Sequence, residues 1–186
     1  MGRSLNKKTE SGVTLMEILV IMVILAALAA IAIPTFAVWL PNYRLKSAAR
    51  DLYSNFQMAK MGAVNSNGDW AVHFDSTSSP GRYAIASGKG INGGWDGLDS
   101  DDQIEKIVDL VDYKGVHYGH GNASEKIGGG AFSVDITYGN RVVFNSRGTG
   151  NAGYVYLQNN KNTAYAVGTR SSGVILLRKW TASGWQ

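Results

Sequence analysis

Apolar residues cluster in this chain with two distinct periods. Residues 1–12 are short, basic and mostly polar, residues 18–33 are apolar without a break, and Pro34 closes the run. At 1.5 Å per residue, a helix over residues 13–33 is long enough to cross the hydrocarbon core of a bilayer. The pattern then changes. Leu45, Ala48, Ala49, Leu52, Phe56, Ala59 and Ala63 recur at steps of three and four, with Arg44, Lys46, Arg50, Asp51, Gln57 and Lys60 mostly off that stripe. This predicts an amphipathic helix over residues 43–64, ended by Asn65-Ser66-Asn67-Gly68. Pro34 and Pro41 each remove a rung from the hydrogen-bond ladder and are expected to kink or loosen the helix.

From residue 69 onward the period is two. Trp70, Val72 and Phe74 alternate with Ala71, His73 and Asp75, and Ser78-Ser79-Pro80-Gly81 turns the chain into a hairpin partner at residues 82–86. Residues 87–97 form a glycine-rich loop. Ser100-Asp101-Asp102-Gln103 reads as an N-cap with a capping box, so the acidic stretch 96–112 is expected to hold a short helix with a solvated face. Phe132, Val134, Ile136 and Tyr138 predict a strand, Gly139-Asn140 a two-residue turn, and residues 141–144 its antiparallel partner. Residues 154–157, 163–167 and 174–178 read as three more strands. The fold class expected is α+β: a long N-terminal transmembrane-plus-amphipathic spine helix packed on an antiparallel β domain that fills residues 69–186.

Composition narrows the function. The 186 residues leave room for one membrane helix and one modest domain, and the absence of Cys excludes disulfides and thiolate chemistry. The net charge of +4 is uneven, with Arg3, Lys7 and Lys8 against Glu10 ahead of the apolar run. By the positive-inside rule that end stays in the cytoplasm, and the rest is extracytoplasmic, periplasmic in a two-membrane bacterium. Trp39 and Tyr43 suit the membrane interface, and Arg44 and Lys46 mark its water side.

No catalytic set emerges. His73, His117 and His120 fit no H-E-x-x-H, and there is no G-x-S-x-G elbow. Gly88-Lys89-Gly90-Ile91-Asn92-Gly93 fits G-x-G-x-x-G, but Gly94-Trp95-Asp96-Gly97 starts no helix, so a surface loop is the better reading and no cofactor is expected. The acidic residues from Asp96 to Asp112 lack the spacing of a calcium loop, and a capped helix accounts for them better than a metal. No enzyme is expected.

Glu17 is the feature that needs explaining. It is the one charge between Glu10 and Arg44. A carboxylate at a helix centre in lipid costs about 2.5–3.5 kcal/mol, and less near the edge, so Glu17 asks for a partner. An ordinary secretory signal cut after Ala30-Ile31-Ala32 would place this charge inside its apolar region and Pro34 just past the cut. A simple anchor explains the length of the run and gives Glu17 no role.

The stretch Gly12-Val13-Thr14-Leu15-Met16-Glu17, with its short basic leader, apolar helix and Pro34, resembles the leader of the type IV pilin and type II secretion pseudopilin superfamily. That resemblance implies a prepilin leader at residues 1–12, a transmembrane helix at 13–42 and an extracytoplasmic pilin-like domain at 43–186. It implies that a prepilin peptidase cuts between Gly12 and Val13 and methylates the Val13 amine. It also implies that Glu17 pairs with the terminal amine of a neighbouring subunit, and that Pro34 is the helix-kinking proline. Opposite charges in a low dielectric relieve each other's desolvation, which agrees with such a pair.

Val143-Phe144-Asn145-Ser146-Arg147-Gly148-Thr149-Gly150 and Ser172-Gly173-Val174-Ile175 are similar to the GspH/FimT-type branch, although many members carry glycine–arginine where this chain has Gly173-Val174. The branch implies a structural minor pseudopilin of a type II protein secretion system, anchored by a single span in the bacterial inner membrane. Its partners would be the peptidase, other pilins or pseudopilins in a helical filament, and secreted protein cargo. The alternative is a minor pilin of a type IV pilus, acting in priming or in DNA binding and uptake. From residue 131 onward six basic residues, among them Arg141, Arg147, Arg170, Arg178 and Lys179, face Asp135 alone, with tyrosines and tryptophans interleaved. Such a surface can bind nucleic acid. A solvated outer sheet face accounts for it more simply, so DNA is not the favoured partner.

Overall fold

The computed structural model describes residues 12–98 and 101–186, so the leader before Gly12 and the expected N-cap Ser100 lie outside the described residues. Among the described residues, the helix α1 (Leu15–Asn65) is followed by nine strands: β1 (Trp70–Asp75), β2 (Arg82–Gly88), β3 (Gln103–Asp109), β4 (Val116–Tyr118), β5 (Arg141–Phe144), β6 (Gly153–Asn159), β7 (Ala164–Thr169), β8 (Ile175–Thr181) and β9 (Gly184–Trp185). The chain divides into two compact units, Met1–Trp39 and Leu40–Gln186.

In the first unit every described side chain is exposed. The helix here is long and apolar enough to cross a membrane. The helix continues through Pro34 and Pro41. Thr35 Oγ1 donates to Ile31 O at 3.0 Å, next to the rung that Pro34 leaves open.

In the second unit the remainder of α1 buries Leu45, Ala48, Ala49, Leu52, Phe56, Ala59 and Ala63, the stripe expected from the sequence, together with Asn55. The helix ends in a Schellman motif: Gly68 N–H donates to Ala63 O at 3.1 Å and Asn67 takes φ +50°. Two antiparallel sheets complete the unit, in the orders β3-β2-β1-β5 and β4-β6-β7-β8-β9. Helix residues share one core with Val72, Phe74, Ile85, Val142 and Phe144 of the first sheet and Val155, Leu157, Val167 and Ile175 of the second. Phe56 is fully buried at the centre, its ring centroid 6.1–6.2 Å from those of Phe74, Tyr138 and Phe144. Polar groups also tie the spine to the sheets. Asp51 Oδ2 accepts from the hydroxyls of Tyr83 (3.2 Å) and Tyr113 (3.0 Å), and Asn159 Nδ2 donates to Asn42 Oδ1 (2.9 Å). Burial beside Asp51 pushes the Tyr113 phenol up to about 12.

Two expected elements are corrected. Among the described residues of the acidic stretch, those from Gln103 form β3 in place of the expected helix; β3 pairs with β2 (Ile104 with Ala86, Val108 with Tyr83) and is followed by a 3-10 turn, Leu110–Asp112. A free strand edge on β2 outweighed the local capping signal. Asp102 is instead buried, and its carboxylate accepts backbone N–H groups from Gly90 (3.0 Å), Asp96 (2.9 Å) and Gly97 (3.0 Å). These bonds clasp the glycine-rich loop onto the first sheet, and the backbone bonds, against the cost of burial, hold the Asp102 carboxyl below its ordinary range. Asp96, Asp101 and Asp102 converge, but three N–H dipoles already occupy the Asp102 oxygens, which leaves it poorly suited to a cation.

The second correction is the hairpin expected across Gly139-Asn140. Residues 132–138 form no extended strand and contribute one bridge, Ile136 with Val155, and β5 pairs with β1 instead. Residues 120–132 cover part of the outer face of the second sheet, and Ile136 and Tyr138 turn into the core. Phe132 stacks on His120 at 3.9 Å and meets Tyr156 edge-on, and Ile127 N–H donates to Tyr156 Oη at 3.0 Å.

His73 points to the outer face of the first sheet, 1 % exposed, with its ring 5.7 Å from Trp95. Its Nε2 lies 3.3 Å from Asp102 Oδ2, yet neither ring nitrogen has an aligned hydrogen-bond partner. Burial lowers its pKa below the ordinary 6.5, against the opposing pull of Asp102. The unfolded chain therefore binds a proton that the folded chain resists. The His73 contribution to stability is full above about pH 6.5 and falls as the pH drops below it. Urea midpoints measured at neutral and mildly acidic pH should show this decline, and His73→Phe, which keeps a ring against Trp95, should reduce it.

Candidate assembly segment and exposed surfaces

The helix begins with a side-chain cap from Thr14. Glu17 N–H donates to Thr14 Oγ1 (3.2 Å) and Thr14 O (3.1 Å), and Ile18 N–H reaches Thr14 O (3.3 Å). Thr14 is the N-cap and Glu17 the third helical residue, the spacing of a capping box. The Thr-x-x-Glu pattern was the available signal. It places the Glu17 carboxylate in the first turn, where the helix dipole favours an anion. Val13 and Glu17 are both exposed at the start of the apolar helix. This end can therefore offer a carboxylate to a cation from another chain.

The five basic residues considered for DNA are not gathered on one face. Arg141 lies on β5 with Nη1 at 3.2 Å from Asn140 Oδ1 and 3.4 Å from Trp95 O. Arg147 is exposed in the turn after β5. Arg178 and Lys179 are neighbours on β8 and so point to opposite faces of the second sheet. Arg170 and Arg178 line one concavity together with Lys126. The histidines are engaged separately: His117 Nε2 lies 2.6 Å from Gln158 Nε2, and His120 Nδ1 lies 2.7 Å from Asp135 Oδ1.

The turn regions carrying the branch-like motifs converge. Gly148 and Gly173 have φ of +71° and +78°, and their backbones touch, so a Cβ on Gly173 would fall on the Gly148 carbonyl oxygen. Lys60 of α1 donates to Gly173 O at 2.9 Å, and its side chain also packs against Gly148. Two turns from distant parts of the sequence are thereby locked to the spine helix.

Residues 48–173 match the model of the family described as type II transport protein GspH. The chain belongs to the GspH family. The match runs from the buried stripe of α1 to the Gly173 turn, so it takes in the first sheet, β4, β6 and β7 of the second, and the Gly148–Gly173 contact; β8, β9 and Gly12 to Glu17 lie outside it. Among solved structures, the minor pseudopilin EpsH from the Type 2 Secretion System of Vibrio cholerae is similar at 15 % identity, with a TM-score of 0.49, covering 72 % of this chain and 95 % of that one. No curated protein sequence matches.

Proposed function

We propose that this GspH-family chain is a structural minor pseudopilin that enters a periplasmic pseudopilus after cleavage between Gly12 and Val13. The observation that carries the reading is the exposed, capped Glu17 at the head of an apolar helix whose described side chains are exposed as far as Trp39. The basic leader holds the amino end in the cytoplasm. Cleavage frees the Val13 amine, which is then methylated. The Glu17 carboxylate of one subunit pairs with the amine of the next and sets the register between them. The apolar helices pack together as the filament is drawn from the membrane, so lipid contacts are replaced by helix contacts. The β domain faces outward, toward other minor subunits or secreted cargo.

The test is purification of the mature protein from native membranes, followed by crosslinking and mass spectrometry. The expected amino-terminal peptide begins at a methylated Val13, and the expected crosslinks are to other pseudopilins. A chain that is uncut, or that is cut after Ala32, overturns the reading.

A further inference from the structure

The outer face of the second sheet carries a built pocket. Its rows follow from the strand register: Tyr154, Gly168 and Leu176 lie side by side across β6, β7 and β8, and Tyr156, Ala166 and Arg178 form the next row. The central strand contributes only Gly168 and Ala166 here, so the face is hollow along β7. The Tyr154 ring leans over Gly168, where a Cβ would collide with it. One wall is the 125–129 loop and the other is the C-terminal hairpin with Ser183, Gly184 and Trp185. The walls are tied by Trp185 Nε1 donating to Glu125 O at 2.7 Å. The loop is closed by Lys126 N–H to Gly130 O (3.0 Å) and Gly129 N–H to Lys126 O (2.9 Å). Gly128, Gly129 and Gly130 all take φ near +90°, and at Gly128 and Gly129 a Cβ would meet nothing, so backbone conformation rather than packing calls for glycine.

The cavity measures about 330 Å³, and Arg170, Arg178 and Lys126 line it with Tyr154, Leu176 and Trp185. Glu125 is the one acidic lining residue, and none of the three cations forms a salt bridge among the described residues. We infer that this pocket binds a carboxylate-bearing side chain from an acidic segment of a partner protein. Two guanidinium groups supply forked donors for a carboxylate, and the aromatic and aliphatic floor accepts the stem that carries it. The volume is at the small end for a binding site and suits one or two side chains. A nucleic acid strand would need cations that track its backbone. Arg141, Arg147 and Lys179 lie away from this pocket, which favours a local anion. The inference stands apart from the assembly role of Glu17, since no pocket residue belongs to α1.

The test uses the full chain in detergent and a fluorescein-labelled oligoglutamate peptide, read by anisotropy at low ionic strength. The wild-type chain should bind, and Arg170→Gln and Arg178→Gln should each weaken binding about tenfold or more, with unchanged melting curves. Arg178→Lys, which keeps the charge and loses the fork, should fall between. Lys179→Gln removes the same charge from the opposite face of the same strand and should stay within about twofold of wild type. Absence of peptide binding overturns the inference, as does an equal loss in Lys179→Gln. So does tighter binding of a labelled oligothymidylate through the same two arginines, which would make the site one for nucleic acid. Amino-terminal processing of these variants should remain normal, so failure here would leave the pseudopilin reading intact.

Discussion

A Glu17→Ala chain is expected to be inserted and cut like the wild type, and to co-purify with its filament partners at least about tenfold less efficiently. The magnitude follows from what the substitution leaves behind. Removing one member of a buried ion pair typically costs about 3–5 kcal/mol, because the other charge stays desolvated without a partner. In the proposed assembly the stranded group is the Val13 amine of the neighbouring subunit. Each 1.4 kcal/mol is tenfold in association, so even half of that cost exceeds the expected loss. Glu17→Gln keeps the length and a hydrogen-bonding tip without the charge, and should fail nearly as badly. Thr14→Ala removes the cap and leaves the carboxylate, so its effect should be confined to about 1 kcal/mol of helix stability. Pull-down of the tagged chain from membranes reads all three. Wild-type recovery of the Glu17→Ala chain would remove the charge pair from the mechanism.

A Gly173→Ala chain should lose about 3 kcal/mol of stability in the unit from Leu40 to Gln186. Alanine in the left-handed region costs about 1–2 kcal/mol, and forcing an extra group into a filled space commonly costs 1–3 more. Gly139 supplies the matched control. Its φ of +79° is nearly that of Gly173, but a Cβ there meets nothing within 4 Å. Gly139→Ala should therefore pay the backbone part alone, about 1–2 kcal/mol. The difference between the two variants in urea unfolding of the full chain isolates the Gly148–Gly173 contact. Equal destabilisation would show that this close approach contributes nothing.

Much of the molecule was legible from period alone. The stripe from Leu45 to Ala63 is the face α1 buries, because a 3.6-residue repeat can bury only that set. β1 and β2 form the hairpin expected of them (Val72 opposite Ile85), since a turn joins two alternating runs adjacent in sequence. β6, β7 and β8 were found for the same reason. The head of the candidate assembly segment was legible too, because a lone charge in an apolar run stands out without any structure.

Long-range competition decided the rest. Gln103 to Asp109 carries acids that suit a helix start, yet the open edge of β2 offered a row of backbone partners and took it as β3. Residues 132–138 alternate like a strand, but β1 had already claimed β5, and Phe132 was needed over Tyr156. His73 read as one of an alternating set, and only the folded loop shows it buried beside Asp102 and Trp95. Five basic residues looked alike in sequence. The pleat of β8 separates Arg178 from Lys179, and the register across β7 brings Arg178 and Arg170 to one pocket. Period, charge and local turn chemistry act over a few residues and can be read directly. Which strand edge is taken, and which face a loop covers, depends on contacts between residues far apart in the chain, and these exist only once the chain has folded.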